Sequence, residues 1–296
     1  MTQLNLSGLS EYIETRKDEL FVNAATSADS IKYLDVMLNV KNKSAINFLD
    51  STVNFQEYSC TWSPDGSDTF SQRFIEVVPI TVMKSWCAND FREYWMNYEL
   101  NYAAGRMTLP KEEALVESNL NAIKVALDDL IWNGDAGLGL DGLVKQIETE
   151  GEVVEVGSGS TATAKIDAAV AAATPKMLAK GVNVYVSLTT FRNYVMEQNG
   201  AGCCANKPVY DAASESIKYL SDSRVTIIPL MGLEKSGAVV AATKDALLYA
   251  TDIEDSEAIY ELFQDRKDQT WNFRVVFNSG TGIRFIDEAI IVEEGD

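Results

Sequence analysis

The stretch GLGLDG could do chemistry, because Gly137, Gly139 and Gly142 satisfy G-x-G-x-x-G, the spacing of a turn that binds a dinucleotide. Such a site needs a strand before the glycines and a helix after them, so that the helix N-terminus faces the pyrophosphate. Here the preceding residues, 109–133, have the spacing of a long helix, and LVKQIETEG afterwards is short for a phosphate-binding helix. The pattern favours a glycine-rich exit from a helix, with a nucleotide-dependent enzyme as the alternative.

The other candidates for chemistry are each incomplete. The adjacent cysteines 203–204 could bridge only with strain, and no further metal ligands are near in sequence. The acidic segment 252–257 lacks the glycine and spacing of a calcium loop, and GSGST at 157–161 lacks the Gly-Lys of a phosphate loop. The glutamates 112–113 are adjacent, so on a helix they would point about 100° apart and could not serve as a facing acid–base pair. We therefore expect no catalytic residue, no metal site and no cofactor.

Composition narrows the function further. The chain of 296 residues is 46% hydrophobic, enough for a large core in one elaborate domain or two smaller ones. It has no histidine, which removes Ser-His-Asp and Cys-His catalysis and histidine-ligated zinc. Its net charge of −19 repels phosphate backbones, so adhesive nucleic-acid binding is not expected. We also expect no membrane span, no secretion signal and a reducing cytoplasm during folding.

A long hairpin is the most unusual element that the sequence predicts. Residues 53–62 and 69–83 have strand character around a polar turn built on Asp65-Gly66. Arms of about ten residues or more exceed the usual five or six, so the hairpin needs a partner surface. The alternative is a hairpin packed on its own domain. The candidate contact residues are Trp62, Asp65, Phe70, Arg73, Phe74, Ile75 and Val77.

The remaining elements indicate a mixed α+β chain. Residues 109–133 predict one helix with an apolar stripe, ended by Gly134 as a left-handed C-cap. The glycines that would let the chain leave this helix sharply are Gly134, Gly137, Gly139 and Gly142. Elsewhere we expect a short helix at 8–22, an arm with some helical pattern at 23–50, partial helix at 86–105, a loop at 199–209, helices at 163–181 (interrupted at Pro175) and 188–199, strands at 152–156, 182–187, 224–229 and 238–242, and a β-rich C-terminal third.

This order of elements resembles the major capsid proteins of tailed bacteriophages, which have the Hong Kong 97-type fold. Leu109-Pro110 opens the long helix, the segment IWNGD (131–135) closes it, and Gly142-Leu143 completes the exit. The closing segment 271–292, WNFRVVFNSGTGIRFIDEAIIV, resembles the final strands of that family. The resemblance spans nearly the whole chain, and the element order carries it more than any single motif.

The resemblance implies an α+β Hong Kong 97-type capsid fold with an N-terminal arm (1–52), an extended β-hairpin loop (53–84), a long spine helix (109–133), a peripheral domain (85–150 and 245–296) and an axial domain (151–244). It implies a structural subunit, not an enzyme, that self-assembles into hexamers and pentamers of an icosahedral shell. That shell would enclose double-stranded DNA without sequence-specific binding, in a virion assembled in the host bacterial cytoplasm.

The same resemblance implies separate portal and decoration proteins as partners. The residues before the arm are too few for a scaffolding segment, so scaffolding would be a separate protein or unnecessary. An encapsulin-like compartment that encloses a cargo enzyme is the alternative within the same fold.

Some members of the family join subunits by an isopeptide bond between a lysine on the extended loop and an asparagine on a neighbour, assisted by a buried glutamate. Here the loop from Asn54 to Met83 has no lysine, Lys84 lies at its base, and Arg73 stays protonated. We therefore expect particles boiled in detergent and reductant to run as single subunits on a denaturing gel. A ladder of covalent oligomers would contradict this and would point to Lys41, Lys43 or Lys84 as the donor.

Overall fold

The computed structural model describes residues 25–58 except 27, 65–87, 96–97, 100–101, 103–104, 111–200, 210–211, 216–252, 259–265, 267 and 270–295. These residues form two larger β-sheets, one long helix and two small antiparallel ribbons. The mixed α+β class predicted from the sequence is therefore confirmed. The predicted helix at 8–22, the loop at 199–209 with its two cysteines, and Trp62 lie outside the described residues.

The first sheet is built around its longest strand, which runs from Thr270 to Ile283. Because this strand has 14 residues, it pairs with two shorter strands end to end along one edge and with another strand along its other edge. The strands of this five-stranded sheet are β1 (Asp35–Leu38), β4 (Val78–Cys87), β13 (Leu247–Asp252), β14 (Ile259–Asp265) and β15 (Thr270–Ile283).

The long helix α1 spans Lys111–Asn133 and shares one hydrophobic core with this sheet, which confirms the predicted helix. Its apolar stripe is buried at Val116, Ile123, Leu127 and Ile131, one helical face at the expected spacing. The inward side chains of β15 complete the core with Phe273, Val275 and Phe277. A helix of this length is about 34 Å long.

A buried hydrogen-bond network joins α1 to two distant segments. The Asp128 carboxylate, only 2% exposed, accepts from the Ser30 backbone N–H at 3.0 Å, the Ser30 hydroxyl at 2.5 Å and the Gly232 N–H at 2.7 Å. The Trp132 indole N–H donates to the same Ser30 hydroxyl at 2.6 Å. A buried carboxylate is stable only with such partners, so this network fixes the segment around Ser30 and the turn at Met231–Leu233 against the helix.

The second sheet has seven strands in the order β7-β16-β12-β8-β11-β10-β9, with a separate apolar core beneath three helices. The predicted strands at 152–156, 182–187, 224–229 and 238–242 are confirmed, and so is the break of the alanine-rich helix at Pro175. The strands are β7 (Glu152–Val156), β8 (Val182–Ser187), β9 (Tyr210–Asp211), β10 (Ser216–Lys218), β11 (Val225–Leu230), β12 (Val239–Ala242) and β16 (Ala289–Glu294), and the helices are α3 (Ala162–Ala172), α4 (Pro175–Lys180) and α5 (Leu188–Gly200).

Two placements differ from the expected division of the chain. The C-terminal strand β16 belongs to the seven-stranded sheet, although residues 245–296 were expected in the other unit. In that sheet β16 pairs with β12 on one side and with β7 on the other. The described part of the segment 23–50, expected as an arm with some helical pattern, has helical residues at 25–26, a 3-10 turn at Asp29–Tyr33 and then two strands.

The hairpin exists, but its strands lie earlier in the chain than predicted. Strand β2 (Lys43–Val53) pairs with β3 (Gly66–Glu76) in a separate two-stranded sheet, with Val53 opposite Gly66. The prediction of a strand at 53–62 is wrong for its described part, 54–58. The predicted second arm, 69–83, is divided between β3 and β4. The chain leaves the hairpin at Val77, whose N–H donates to Asn42 O at 2.8 Å.

Candidate functional site

The hairpin formed by β2 and β3 has two faces with opposite environments. Residues opposite each other in an antiparallel pair share a face, so the register places Ile46, Phe48, Arg73 and Ile75 on one side. This side faces the body of the protein: Ile46 and Ile75 are buried, and they belong to a small core with Leu248. The base of the hairpin is thus part of the folded subunit.

Two glycines of β15 explain how closely the hairpin base approaches the first sheet. A Cβ at Gly280 would lie 2.2 Å from Glu76 O, and one at Gly282 would lie 3.1 Å from the Ile75 side chain. Contact with backbone at such a distance cannot be relieved by a rotamer change, so only glycine fits at 280. The crossing point of hairpin and sheet is therefore sterically fixed.

Arg73 ties the same side of the hairpin to the body. Its guanidinium donates to Ile283 O at 3.1 Å and forms an ion pair with Glu150, the last residue of helix α2 (Leu143–Glu150). Burial lowers the pKa of Arg73 from its ordinary value, yet an arginine keeps its charge at neutral pH. Arg73 and Ile75, two of the predicted intersubunit contact residues, thus also make contacts within their own subunit.

The outward face of the hairpin carries apolar side chains that remain largely exposed, although the Lys43 ammonium group lies over the Phe74 ring, 4.7 Å from its centroid. We call this the hairpin stripe: Leu49 is 56% exposed, Val53 74%, Phe70 82% and Phe74 56%. Leu49 lies directly opposite Phe70 in the register, so the stripe is continuous across both strands. An apolar row of this kind on a projecting ribbon is typical of a surface that is covered by a partner.

The distal part of the hairpin adds two aromatics and a charge imbalance. Phe55 is fully exposed and Tyr58 is 93% exposed. Between Lys43 and Arg73 the chain contains four carboxylates and no lysine or arginine; the carboxylates are Asp50, Glu57, Asp65 and Asp68. Asp65 accepts from the Asn54 amide at 3.1 Å, and Asp68 accepts from the Ser51 hydroxyl at 2.5 Å. These bonds lie within the hairpin and leave the surplus negative charge unbalanced there.

Lys84, the lysine nearest the hairpin on its C-terminal side, is engaged within its own subunit. It lies on β4, and its ammonium group donates to the Asn119 side-chain oxygen on α1 at 2.9 Å. Asn119 is only 6% exposed. The lysine is thereby directed towards the helix.

The glycine-rich stretch after α1 is a small ribbon that closes on its own backbone. Strand β5 (Gly134–Asp135) pairs with β6 (Leu140–Asp141), and Gly134 has the left-handed φ of 70° predicted for the helix C-cap. Gly142 lies so close to Gly134 that a Cβ on it would be 2.3 Å from Gly134 N. Asp141 O accepts from Thr281 Oγ1 and Gln146 Nε2, both at 2.7 Å, which anchors the ribbon to β15 and α2.

This geometry contradicts the nucleotide-binding alternative. A helix, and not a strand, leads into the glycines, and a second two-residue strand separates the turn from α2. The Gly137 N–H, which a phosphate would need, donates to the Asp135 carboxylate at 2.8 Å. A carboxylate held at that donor would repel a pyrophosphate. Sequence spacing alone missed the second helix, because eight residues with buried Leu143 and Ile147 are short for a confident assignment.

The described residues offer no other chemical centre. They contain no group of three or more Cys, Asp or Glu side chains arranged to hold a metal ion. None of the helices within the described ranges is both long enough and apolar enough to cross a bilayer.

The overall structure is similar to solved phage capsid structures over most of its length. It matches a chain of the satellite phage P4 procapsid that includes the size determination (Sid) protein at a TM-score of 0.60, covering 100% of this chain and 99% of the other at 10% identity. A structure of Microbacterium phage Oxtober96 matches at 0.59, covering 90% and 91% at 10% identity. The capsid of a native GTA particle matches at 0.57, covering 93% and 91% at 9% identity.

The sequence itself gives no such connection: no protein-family model and no curated protein matches it. The fold is nevertheless shown by the structural likeness, which extends over nine tenths or more of the chain in each of these cases. The Hong Kong 97-type capsid fold predicted from the order of elements is confirmed.

Proposed function

We propose that this protein is the structural subunit of a bacteriophage capsid, which assembles with further copies of itself into hexamers and pentamers of an icosahedral shell. The observation that carries the proposal is the hairpin: its base is fixed in the subunit, and its distal half projects with apolar residues exposed on both strands. In a monomer the projecting ribbon would contribute little to stability, because an exposed two-stranded ribbon is marginally stable by itself. Contact with a neighbour gives the ribbon a surface to pack on.

The division of the chain supports the same role. The five-stranded sheet with α1 would form the peripheral domain, the seven-stranded sheet with β16 would form the axial domain, and residues before Asp35 the arm. One core contains side chains of α1 and of both sheets, and a second core lies between the seven-stranded sheet and its helices, so the two proposed domains form one folded subunit. Many modest, repeated contacts would then stabilise the closed shell.

The acidic composition supports a container for DNA. With 44 acidic and 25 basic residues, a wall of these subunits would not bind the packaged duplex tightly. The protein would be located in the virion, which would form in the bacterial cytoplasm. Its partners would be separate scaffolding, portal and decoration proteins.

The test is direct observation of assembly. We expect the purified protein, concentrated alone or with its scaffold, to form rings or closed shells in negative-stain electron micrographs and a fast-sedimenting species in the ultracentrifuge. Particles isolated from infected cells should contain nucleic acid and not a cargo enzyme. A strictly monomeric protein under all these conditions would rule the proposed function out.

A further inference from the structure

A cleft beside the C-terminal half of helix α1 has the size and lining of a site for a small organic molecule. This cleft, which we call the helix cleft, has a volume of about 510 Å³ and lies between α1, strands β4 and β15 and the ribbon formed by β5 and β6. Nine of its thirteen lining residues are apolar and three are charged. Sites for small molecules are concave and mostly apolar, with volumes of about 300–1,000 Å³ and a few polar groups. The helix cleft meets each of these conditions.

The floor of the helix cleft is apolar and shielded from water, whereas its mouth is open. The floor residues, each 6% exposed or less, are Ile80, Ile123, Leu127 and Phe277. At the mouth, Ala126 of α1 is exposed, and Leu138 in the turn of the ribbon is 39% exposed. An apolar molecule in the cleft would cover these two side chains and lose its own contact with water, so burial of apolar surface favours binding.

The charges in the lining sum to −1, because they come from Asp129, Asp135 and Lys235. Asp129 Oδ1 accepts from Asn133 Nδ2 at 2.5 Å, and Asp135 Oδ1 accepts from the Gly137 N–H at 2.8 Å. Both of these donors are neutral, and within the described parts of the chain neither carboxylate forms an ion pair. One added ammonium group would make the lining neutral.

We propose that the helix cleft binds a small organic cation, with an apolar body of about ten carbon atoms and a single ammonium group directed at Asp129 or Asp135. The apolar body suits the floor, and the single positive charge offsets the net charge of the lining. The inference concerns the folded subunit alone and does not depend on the proposed function.

Other classes of ligand suit this lining less well. A nucleotide or any other anion would meet two carboxylates and be repelled. A metal ion would leave the apolar floor uncovered, and calcium takes about six to eight oxygen ligands where the lining has two carboxylates. An uncharged apolar molecule would gain nothing from Asp129 and Asp135.

Titration calorimetry of the whole protein with decylammonium chloride tests the inference. We expect a dissociation constant of roughly 0.1–1 mM, which is within reach of a ligand with about eleven non-hydrogen atoms. Decanoate, which has the same chain length and the opposite charge, should bind at least tenfold more weakly. Ala126→Trp should weaken decylammonium binding at least tenfold, because the indole would occupy the mouth of the cleft. Asp129→Asn should weaken it about threefold or more by removing one carboxylate.

Matched controls distinguish the helix cleft from the general attraction of cations to an acidic protein. Ala122→Trp adds the same indole one turn earlier on α1, and Glu117→Gln removes the same charge from an exposed position; neither residue lines the cleft. Both controls should bind decylammonium as the unaltered protein does. At ten times the dissociation constant, the ligand should raise the melting temperature of all three by roughly 2–4 °C.

Three outcomes would overturn the inference: no saturable binding of decylammonium, equal binding of decanoate, or equal losses in Ala122→Trp and Ala126→Trp. Circular dichroism should show every variant folded. If a tryptophan variant fails to fold, Asp129→Asn and Glu117→Gln provide the same comparison, and equal affinities of that pair would likewise count against the cleft. None of these measurements involves assembly, so their failure leaves the proposed function untouched.

Discussion

Replacing residues 51–68 with Asn-Gly should abolish particle formation and leave a folded subunit. The replacement joins Asp50 to Thr69, which face each other in the register, through a two-residue turn that suits a hairpin. The described residues of the removed segment, 51–58 and 65–68, are all exposed, so the cores of the subunit stay intact. We expect the melting temperature to change by less than roughly 3 °C, which corresponds to about 1 kcal/mol or less.

Loss of assembly follows from the area that the hairpin offers to a neighbour. A phenylalanine buries roughly 150–250 Å², and burial contributes about 25 cal/mol per Å², so each exposed aromatic that the replacement removes, Phe55 and Tyr58 among them, stabilises a contact by up to several kcal/mol. Repeated around a ring and between rings, that loss prevents closure. Sedimentation and electron microscopy measure the outcome.

A smaller change separates the surface from the length of the hairpin. Phe70→Ser/Phe74→Ser keeps the ribbon and removes half of the hairpin stripe; it should also block assembly. Met196→Ser, on helix α5 and 61% exposed, is the control that should leave assembly unchanged. If the shortened hairpin instead unfolds the subunit, or if its particles close normally, the hairpin is not the main intersubunit contact.

Gly142→Ala should destabilise the subunit more than any other alanine substitution in the GLGLDG stretch. The new Cβ would lie 2.3 Å from Gly134 N and 2.4 Å from both Trp132 O and Asn133 C. All three atoms are backbone, and Trp132 is fully buried, so neither side of the contact can move without disturbing the end of α1. We expect a loss of roughly 3 kcal/mol or more, or about 6–12 °C in melting temperature.

The other glycines of the stretch provide graded controls. Gly139 has a φ of 70° but open space around its Cβ position, so Gly139→Ala should cost about 1–2 kcal/mol from backbone strain alone. At Gly137 the nearest atom is a side-chain oxygen of Asp135 at 3.1 Å, and Gly137→Ala should cost less than about 1 kcal/mol. Equal effects at 137 and 142 in thermal unfolding would contradict the steric explanation. A nucleotide turn would instead give no stability difference and a change in nucleotide binding.

The sequence predicts the elements whose signals are local. The helix that ends at Gly134 has a complete apolar stripe and a glycine stop, and the strand Val182–Ser187 is a continuous apolar run, so both are placed within about two residues. The hairpin strands were shifted because residues 43–53 have apolar side chains on both faces, and only tertiary contact shows which face is buried. Periodicity contains no information about that contact.

The site was harder to predict than the fold. Among the predicted contact residues, Phe70 and Phe74 are exposed. Ile75 and Arg73, one and three residues from the end of β3, face the body of the subunit. The reason lies more than 200 residues away in sequence, at Gly280, Gly282 and the carbonyl of Ile283.

The hairpin is held at its base, where it crosses Gly280, and is free along the rest of its length. At its base the hairpin is held by close backbone contact at Gly280, by Ile75 in a small core and by the Arg73 ion pair. Beyond the base, the described residues form a single two-stranded ribbon without a second layer. Two-stranded ribbons are the most readily twisted sheets, so the free part of the hairpin can twist and bend while its base keeps its position. In the proposed shell, five-fold and six-fold rings would require different angles between neighbours, and twisting of the ribbon would let one sequence serve both while the base of the hairpin stays fixed to its own subunit.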